Sequence, residues 1–161
     1  MSTSSLSASR PANPFVDAKD QAILEAAEVI LRGRLQRQGC IGNPTDAADF
    51  LRVRLAALPH EEFHVLWLDQ RHRILDCQRL FTGTIDGANV YPREVVRAAL
   101  AVNAGAAIFA HNHPSGVAEP SAADRSITRE LREALQLIGV RVLDHLIVGD
   151  ECTSMACRGL L

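Results

Sequence analysis

The sequence lacks every familiar cysteine pair. Its four cysteines, Cys40, Cys77, Cys152 and Cys157, form no Cys-x-x-Cys, which excludes a zinc knuckle and a thioredoxin-type site. They read as reduced thiols, the state expected in the cytoplasm. No window approaches the ~18 consecutive apolar residues that a membrane span needs, so no membrane partner is expected. A basic excess is missing too. The net charge is −2 and the pI about 6.3, which argues against a surface that coats DNA while leaving room for a local basic patch. No internal repeat is visible, and without Pro-Cys-x-x-Cys the chain does not fit the zinc nucleobase deaminases.

What is present suits one globular domain with a real core: 161 residues, 47% apolar and 22% charged. Residues 1–16, rich in Ser and Pro, read as a disordered tail. Ile23, Leu24, Ala27, Ile30, Leu31 and Leu35 make a helical stripe over 18–38, and "GCIGNP" breaks it. Thr45 is placed to cap a second helix carrying Ala48, Phe50, Leu51 and Leu55. These two helices are expected to be the most detachable part of the chain, with 17–43 a helical extension and 44–161 the main domain.

In "EEFHVLWLD", Phe63, Val65 and Trp67 alternate with His64, Leu66 and Leu68. Both sets are largely apolar, so the segment predicts a central strand. Residues 73–81 predict its hairpin partner. Pro92 starts a helix with Val95, Val96, Ala99, Leu100 and Val102 inward, and Gly105 is expected to end it. A short strand, 106–110, runs into His111. A helix over 122–138 with Ile127, Leu131, Ala134, Leu135 and Ile138 inward is stopped by Gly139. "VRVLDHLIVGD" predicts another strand, and the "SMACRGLL" tail one more. This order describes an α/β (α+β) fold, a mixed sheet flanked by helices.

The chemistry concentrates in "HNHPSGVAEPSAAD", residues 111–124. In an extended segment residues two apart project together, so His111 and His113 converge from one strand end while Asn112 points away. Two imidazoles suit a transition metal such as zinc. Asp124, in the first turn of the next helix, is placed to return as an oxygen ligand, which leaves a fourth position for water, as in catalytic zinc sites. Ser121-x-x-Asp124 is equally a capping box, and spacing alone does not choose between the two readings.

The same residues resemble the His-x-His-Pro…Ser-x-x-Asp signature of the JAMM metalloproteases, the MPN-domain peptidases and deubiquitinases. More closely, the chain resembles the RadC family, whose blocks match "EEFHVLWLD", "LFTGTID", "PREVVRAALAVNA" and "LDHLIVGD" in order from roughly Pro44 to the C-terminus. The resemblance implies a JAMM/MPN (cytidine-deaminase-like) architecture and a Zn2+ cofactor held by His111, His113 and Asp124. It further implies Glu61 as the general base and Ser121 as the hydroxyl that stabilises the oxyanion. Strand parity separates Glu61 from Glu62. The implied activity is hydrolysis of an amide or isopeptide bond in a protein or peptide substrate. Long RadC proteins carry an N-terminal helix-hairpin-helix region that this chain is expected to lack.

Smaller expectations accompany these. Asp144-His145 matches the family's pair, with His145 a buried hydrogen-bonding residue. Asn112 fixes the loop. Thr84 and Ser115 line the cleft, and His60, His64 and His72 lie at surface or edge. The Arg-rich 32–37 stretch reads as a solvated helix face. The letters His-Asn-His do not make a nuclease, because HNH nucleases scatter those residues over a ββα-metal fold. The serious rival is a non-catalytic accessory module for DNA repair or mobile elements, binding DNA or a protein partner.

Overall fold

The structure, a computed structural model, describes residues 17–37, 44–83 and 88–161. The expected tail 1–16, Cys40 and Thr84 lie outside the described residues. Helices α1 (Ala18–Arg37) and α2 (Pro44–Leu55) precede a hairpin of β1 (Glu62–Leu68) and β2 (Ile74–Thr82). Then come α3 (Pro92–Ala101), β3 (Ala106–Asn112), α4 (Ala122–Leu137), β4 (Arg141–Val148) and β5 (Cys152–Ser154). The described strands form one sheet in the order β2-β1-β3-β4-β5. Only the β3–β4 pair, joined through α4, is parallel. The fold is α+β, a mixed sheet flanked by helices. Its last strand is Cys152–Ser154 rather than the "SMACRGLL" tail, which beyond Ser154 is mostly turn.

β1 is paired on both edges and covered on both faces, which explains its continuous apolar character. Phe63, Val65 and Trp67 pack with Val95 and Ala99 of α3 and Leu131 and Leu135 of α4. Leu66 and Leu68 pack on the opposite face with Ala47, Phe50, Leu51 and Leu55 of α2. α2 is therefore part of the domain core and not detachable: Leu51 and Leu55 are fully buried. α1 adds Leu31 to the edge of that core. Its expected stripe does not hold, since Ile23 and Ile30 are more than half exposed. A polar contact takes its place. Glu28 is buried and receives Arg54 at 2.6 Å and Arg32 at 2.8 Å, so Arg32 is not a free solvated charge.

Two further expectations need correction. Gly105 does not end α3. The helix stops at Ala101, and Asn103 takes the left-handed turn at φ 54°. Gly105 is required for another reason, because a Cβ there would stand 2.8 Å from the Gln70 backbone nitrogen. Leu100, placed inward by periodicity, is 60% exposed.

β4 contains a register slip. Ala107 pairs with Val142, but Ile108 pairs with Asp144, so Leu143 is an extra residue. Val142 packs on the α3/α4 side and Leu143 on the α2 side. Beyond the slip, His145 lies edge-on to Phe63 and Phe109 on the α3/α4 side, while Leu146 and Val148 join the α2 side. Unbroken alternation from Val142 would have turned His145 the other way.

His64 is buried, not at an edge. Together with His60 and Arg79 it surrounds Glu62, whose carboxylate lies 2.8 Å from His64 Nε2, 3.0 Å from His60 Nε2 and 3.2 Å from Arg79 Nη1. Burial raises the Glu62 pKa, but the hydrogen bonds to His64 and His60, with the charge of Arg79, bring it down to about 2. Burial also lowers His64, and its Nδ1 has no hydrogen-bond partner among the described residues. His64 is accordingly a neutral ring donating Nε2–H to an ionised Glu62. A depressed carboxyl contributes stability above its unfolded pKa, near 4.5, and loses it as pH falls toward 2. The contribution is on the order of 3 kcal/mol. Urea midpoints measured from pH 6 to pH 2 should fall less steeply for Glu62→Gln than for the wild type. Parallel curves would remove Glu62 as a source of acid lability.

Candidate metal centre

β3 buries its first five residues and then delivers His111 and Asn112 at the sheet end. His111 continues the parity of Ala107 and Phe109 and faces α4. His113 follows one residue past the strand, its N–H donating to the Val148 carbonyl at 2.8 Å. The two Nε2 atoms stand 3.0 Å apart. Asp124 completes the group, with Oδ1 3.2 Å from His111 Nε2 and Oδ2 3.4 Å from His113 Nε2. The ligand atoms of these three residues all lie within 4.8 Å of one another.

The capping-box reading of Ser121-x-x-Asp124 is observed, and it leaves the carboxylate free to face the two imidazoles. Ser121 caps α4, its Oγ accepting Asp124 N–H at 3.0 Å, while Asp124 Oδ2 accepts Ser121 N–H at 2.7 Å. The capping box fixes the carboxylate at the height of the two imidazoles. Burial raises the Asp124 pKa, yet hydrogen bonds from His111, His113 and Ser121 N–H hold it far below the usual carboxylate range. The Asp124 contact is also the main reason His113 is raised. A proton on His113 and a cation among the three side chains are therefore alternatives.

The donor set fits zinc. Ligands about 2.1 Å from a tetrahedral ion lie roughly 3.4 Å apart, close to the spacings of 3.0, 3.2 and 3.4 Å here. The ring nitrogens pointing away are also engaged, as ligating histidines require. His113 Nδ1 is 2.7 Å from the Val117 carbonyl, and that carbonyl can only accept. His111 Nδ1 is 2.8 Å from His145 Nε2. His145 is fully buried, which holds its pKa well below the usual value.

The three side chains open onto a cleft of about 700 Å³ that is also lined by Glu61, Ser115 and Ser121. Parity separates the two glutamates as expected: Glu61 enters the cleft and Glu62 the buried cluster behind it. Ala88 N–H lies 3.2 Å from Glu61 Oε1. Asn112 fixes the loop, and the particular loop is informative. Its Oδ1 accepts Glu62 N–H at 2.8 Å and its Nδ2 donates to the His60 carbonyl at 2.9 Å, so one side chain clamps the backbone on both sides of Glu61.

Asp144 holds the last strand against the site, accepting from His145 N–H, Ala156 N–H and Ser154 Oγ. Gly116, at φ 84°, turns the loop that follows His113, and Asp150 N–H bonds its carbonyl at 2.7 Å. Sequence reasoning missed Thr128, which is buried 2.6 Å from His145 Nδ1. Its signal was position: it stands one turn beyond Asp124 on the same helix face.

Comparison with known proteins agrees with this geometry. Residues 41–160 match the family model of the RadC-like JAB domain. A UPF0758 protein of Thioalkalivibrio sulfidiphilus is 56% identical over 144 residues, 89% of this chain and 65% of that protein. One from Marinobacter nauticus is 54% identical over 145 residues, with the same two coverages. The chain thus spans 65% of the length of these relatives. A UPF0758 protein of Vibrio cholerae is 50% identical over 143 residues, 89% of this chain and 91% of its own length. No helix among the described residues is long and apolar enough to cross a membrane. With the His-x-His strand end, the capped Asp124 and the cleft-facing Glu61 in place, the chain belongs to the RadC-like JAB domain family.

Proposed function

We propose that this domain is a zinc-dependent peptidase or isopeptidase that cleaves an amide bond with a metal-activated water. The observation that carries the reading is the convergence of His111, His113 and Asp124 at tetrahedral-ligand spacing in a cleft they share with Glu61. Zinc, when bound, lowers the pKa of its water to about 7 and polarises a carbonyl. Glu61 takes the proton that the attack releases and returns it to the leaving amine. The Ser121 lone pair is used by Asp124 N–H, which leaves the hydroxyl proton to meet the developing oxyanion, a role typically worth roughly 3 kcal/mol. Phe63 and Ile127 supply apolar wall to the cleft.

The test begins with metal content. Wild-type protein is expected to bind one zinc per chain, and Asp124→Ala to lose it. Chelation should abolish hydrolysis of a peptide or isopeptide library, and added zinc should restore it. Wild-type protein that takes up no zinc, or a zinc-loaded protein inert across the library, would instead favour an accessory module. Binding to DNA that weakens with salt would then be its signature.

A further inference from the structure

The buried side chains behind the site form a closed ring. Thr128 Oγ1 lies 2.5 Å from the Asp124 carbonyl and 2.6 Å from His145 Nδ1. His145 Nε2 lies 2.8 Å from His111 Nδ1, and His111 Nε2 returns to Asp124 Oδ1 at 3.2 Å. Thr128 and His145 are at most 1% exposed and His111 is 2% exposed, so water does not supply or remove these bonds.

The protons in the first three links are determined. A carbonyl only accepts. At 2.5 Å, the Asp124 carbonyl and Thr128 Oγ1 would be two facing lone pairs unless the hydroxyl proton lay between them. That proton is then committed, and Thr128 meets His145 as an acceptor. His145 must carry its own proton on Nδ1. Its neutral ring leaves Nε2 bare, and a bare Nε2 2.8 Å from His111 Nδ1 requires the proton on His111 Nδ1. His111 Nε2, facing His113 and the Asp124 carboxylate, is then the nitrogen that a cation can take. The reverse order, with Thr128 donating to His145, would place a proton on His111 Nε2 and block it as a ligand.

We infer that Thr128 and His145 are positioning residues that hold a proton on His111 Nδ1, so that Nε2 is the nitrogen left to bind a metal. The two ligand histidines reach that state differently. His113 is oriented by a backbone carbonyl, which has one hydrogen-bonding role. His111 is oriented by a second histidine, which has two, and the Thr128 hydroxyl decides between them. The ring also ties the choice to Asp124, because the carbonyl that takes the Thr128 proton belongs to the residue whose carboxylate is the third ligand.

This rests on the zinc reading above, and the test separates the two. Long-range 15N–1H spectra of metal-free wild-type protein should show His111 and His145 both protonated on Nδ1. Thr128→Val keeps the side-chain shape and removes the hydroxyl. It should shift His111 toward the Nε2–H form and weaken zinc binding by about 10- to 100-fold, measured by competition with a chelating dye. Thr128→Ser should restore both readouts. Wild-type protein showing no proton on His111 Nδ1 would overturn the relay without any variant. So would Thr128→Val with an unchanged His111 spectrum and zinc affinity within twofold of wild type. Wild-type protein that binds no zinc would instead sink the metal reading, with the spectra still reporting the ring.

Discussion

Glu61→Gln is expected to keep one zinc per chain and to lower amide hydrolysis by at least about a hundredfold. Glu61 lines the cleft but is not among His111, His113 and Asp124, the group that would hold the metal, so removing its charge would leave a cation held there. What is lost is a group able to accept a proton and release it again, because an amide is neither base nor acid at neutral pH. Glutamine preserves the shape, and Asn112 clamps the backbone through His60 and Glu62 rather than through the Glu61 side chain. Zinc analysis and turnover on the same sample check it. Equal turnover by zinc-loaded Glu61→Gln would remove Glu61 from the chemistry.

Gly149→Ala should cost about 1–3 kcal/mol of stability and weaken zinc binding at least about tenfold. A Cβ at Gly149 would collide with the Gly116 carbonyl oxygen and stand 2.7 Å from its carbon and 3.0 Å from Ala118 N. All three are backbone atoms, so no rotamer change relieves the contact. The loop must retreat, and it carries the carbonyl of Val117 that orients His113. Gly139→Ala is the control. That residue has φ 75° and open space around its would-be Cβ, so alanine there meets only backbone strain, about 1 kcal/mol, with zinc affinity unchanged. Denaturant midpoints and dye competition on both variants separate loop displacement from general weakening. Wild-type zinc affinity in Gly149→Ala would show that the loop has slack.

Much of the site was legible because it depends on two short periods. The two-residue strand period brings His111 and His113 together and sends Glu61 and Glu62 to opposite sides. The capping box sets Asp124 at the helix start. Other features depend on tertiary contacts that carry no local signal. α1 has an apolar stripe in sequence, but it is seated through buried Glu28 against Arg54 of α2, so Ile23 and Ile30 stay outside. Thr45–Leu55 looked like an appendage because a two-turn amphipathic pattern does not say which surface will cover it. Asn103 took the turn expected of Gly105, since asparagine also tolerates a positive φ and the glycine was needed beside Gln70. The depth of His64 was hidden for a similar reason: a histidine letter does not disclose a buried glutamate two residues away.

The slip at Leu143 makes strand pairing a determinant of chemistry. A version of this strand of the same length, paired without the slip, could keep every functional letter and still turn its imidazole toward α2, leaving His111 backed by whatever arrived instead. Column-by-column likeness would score such a chain as intact. Only the partner that each residue finds on the neighbouring strand would reveal the difference.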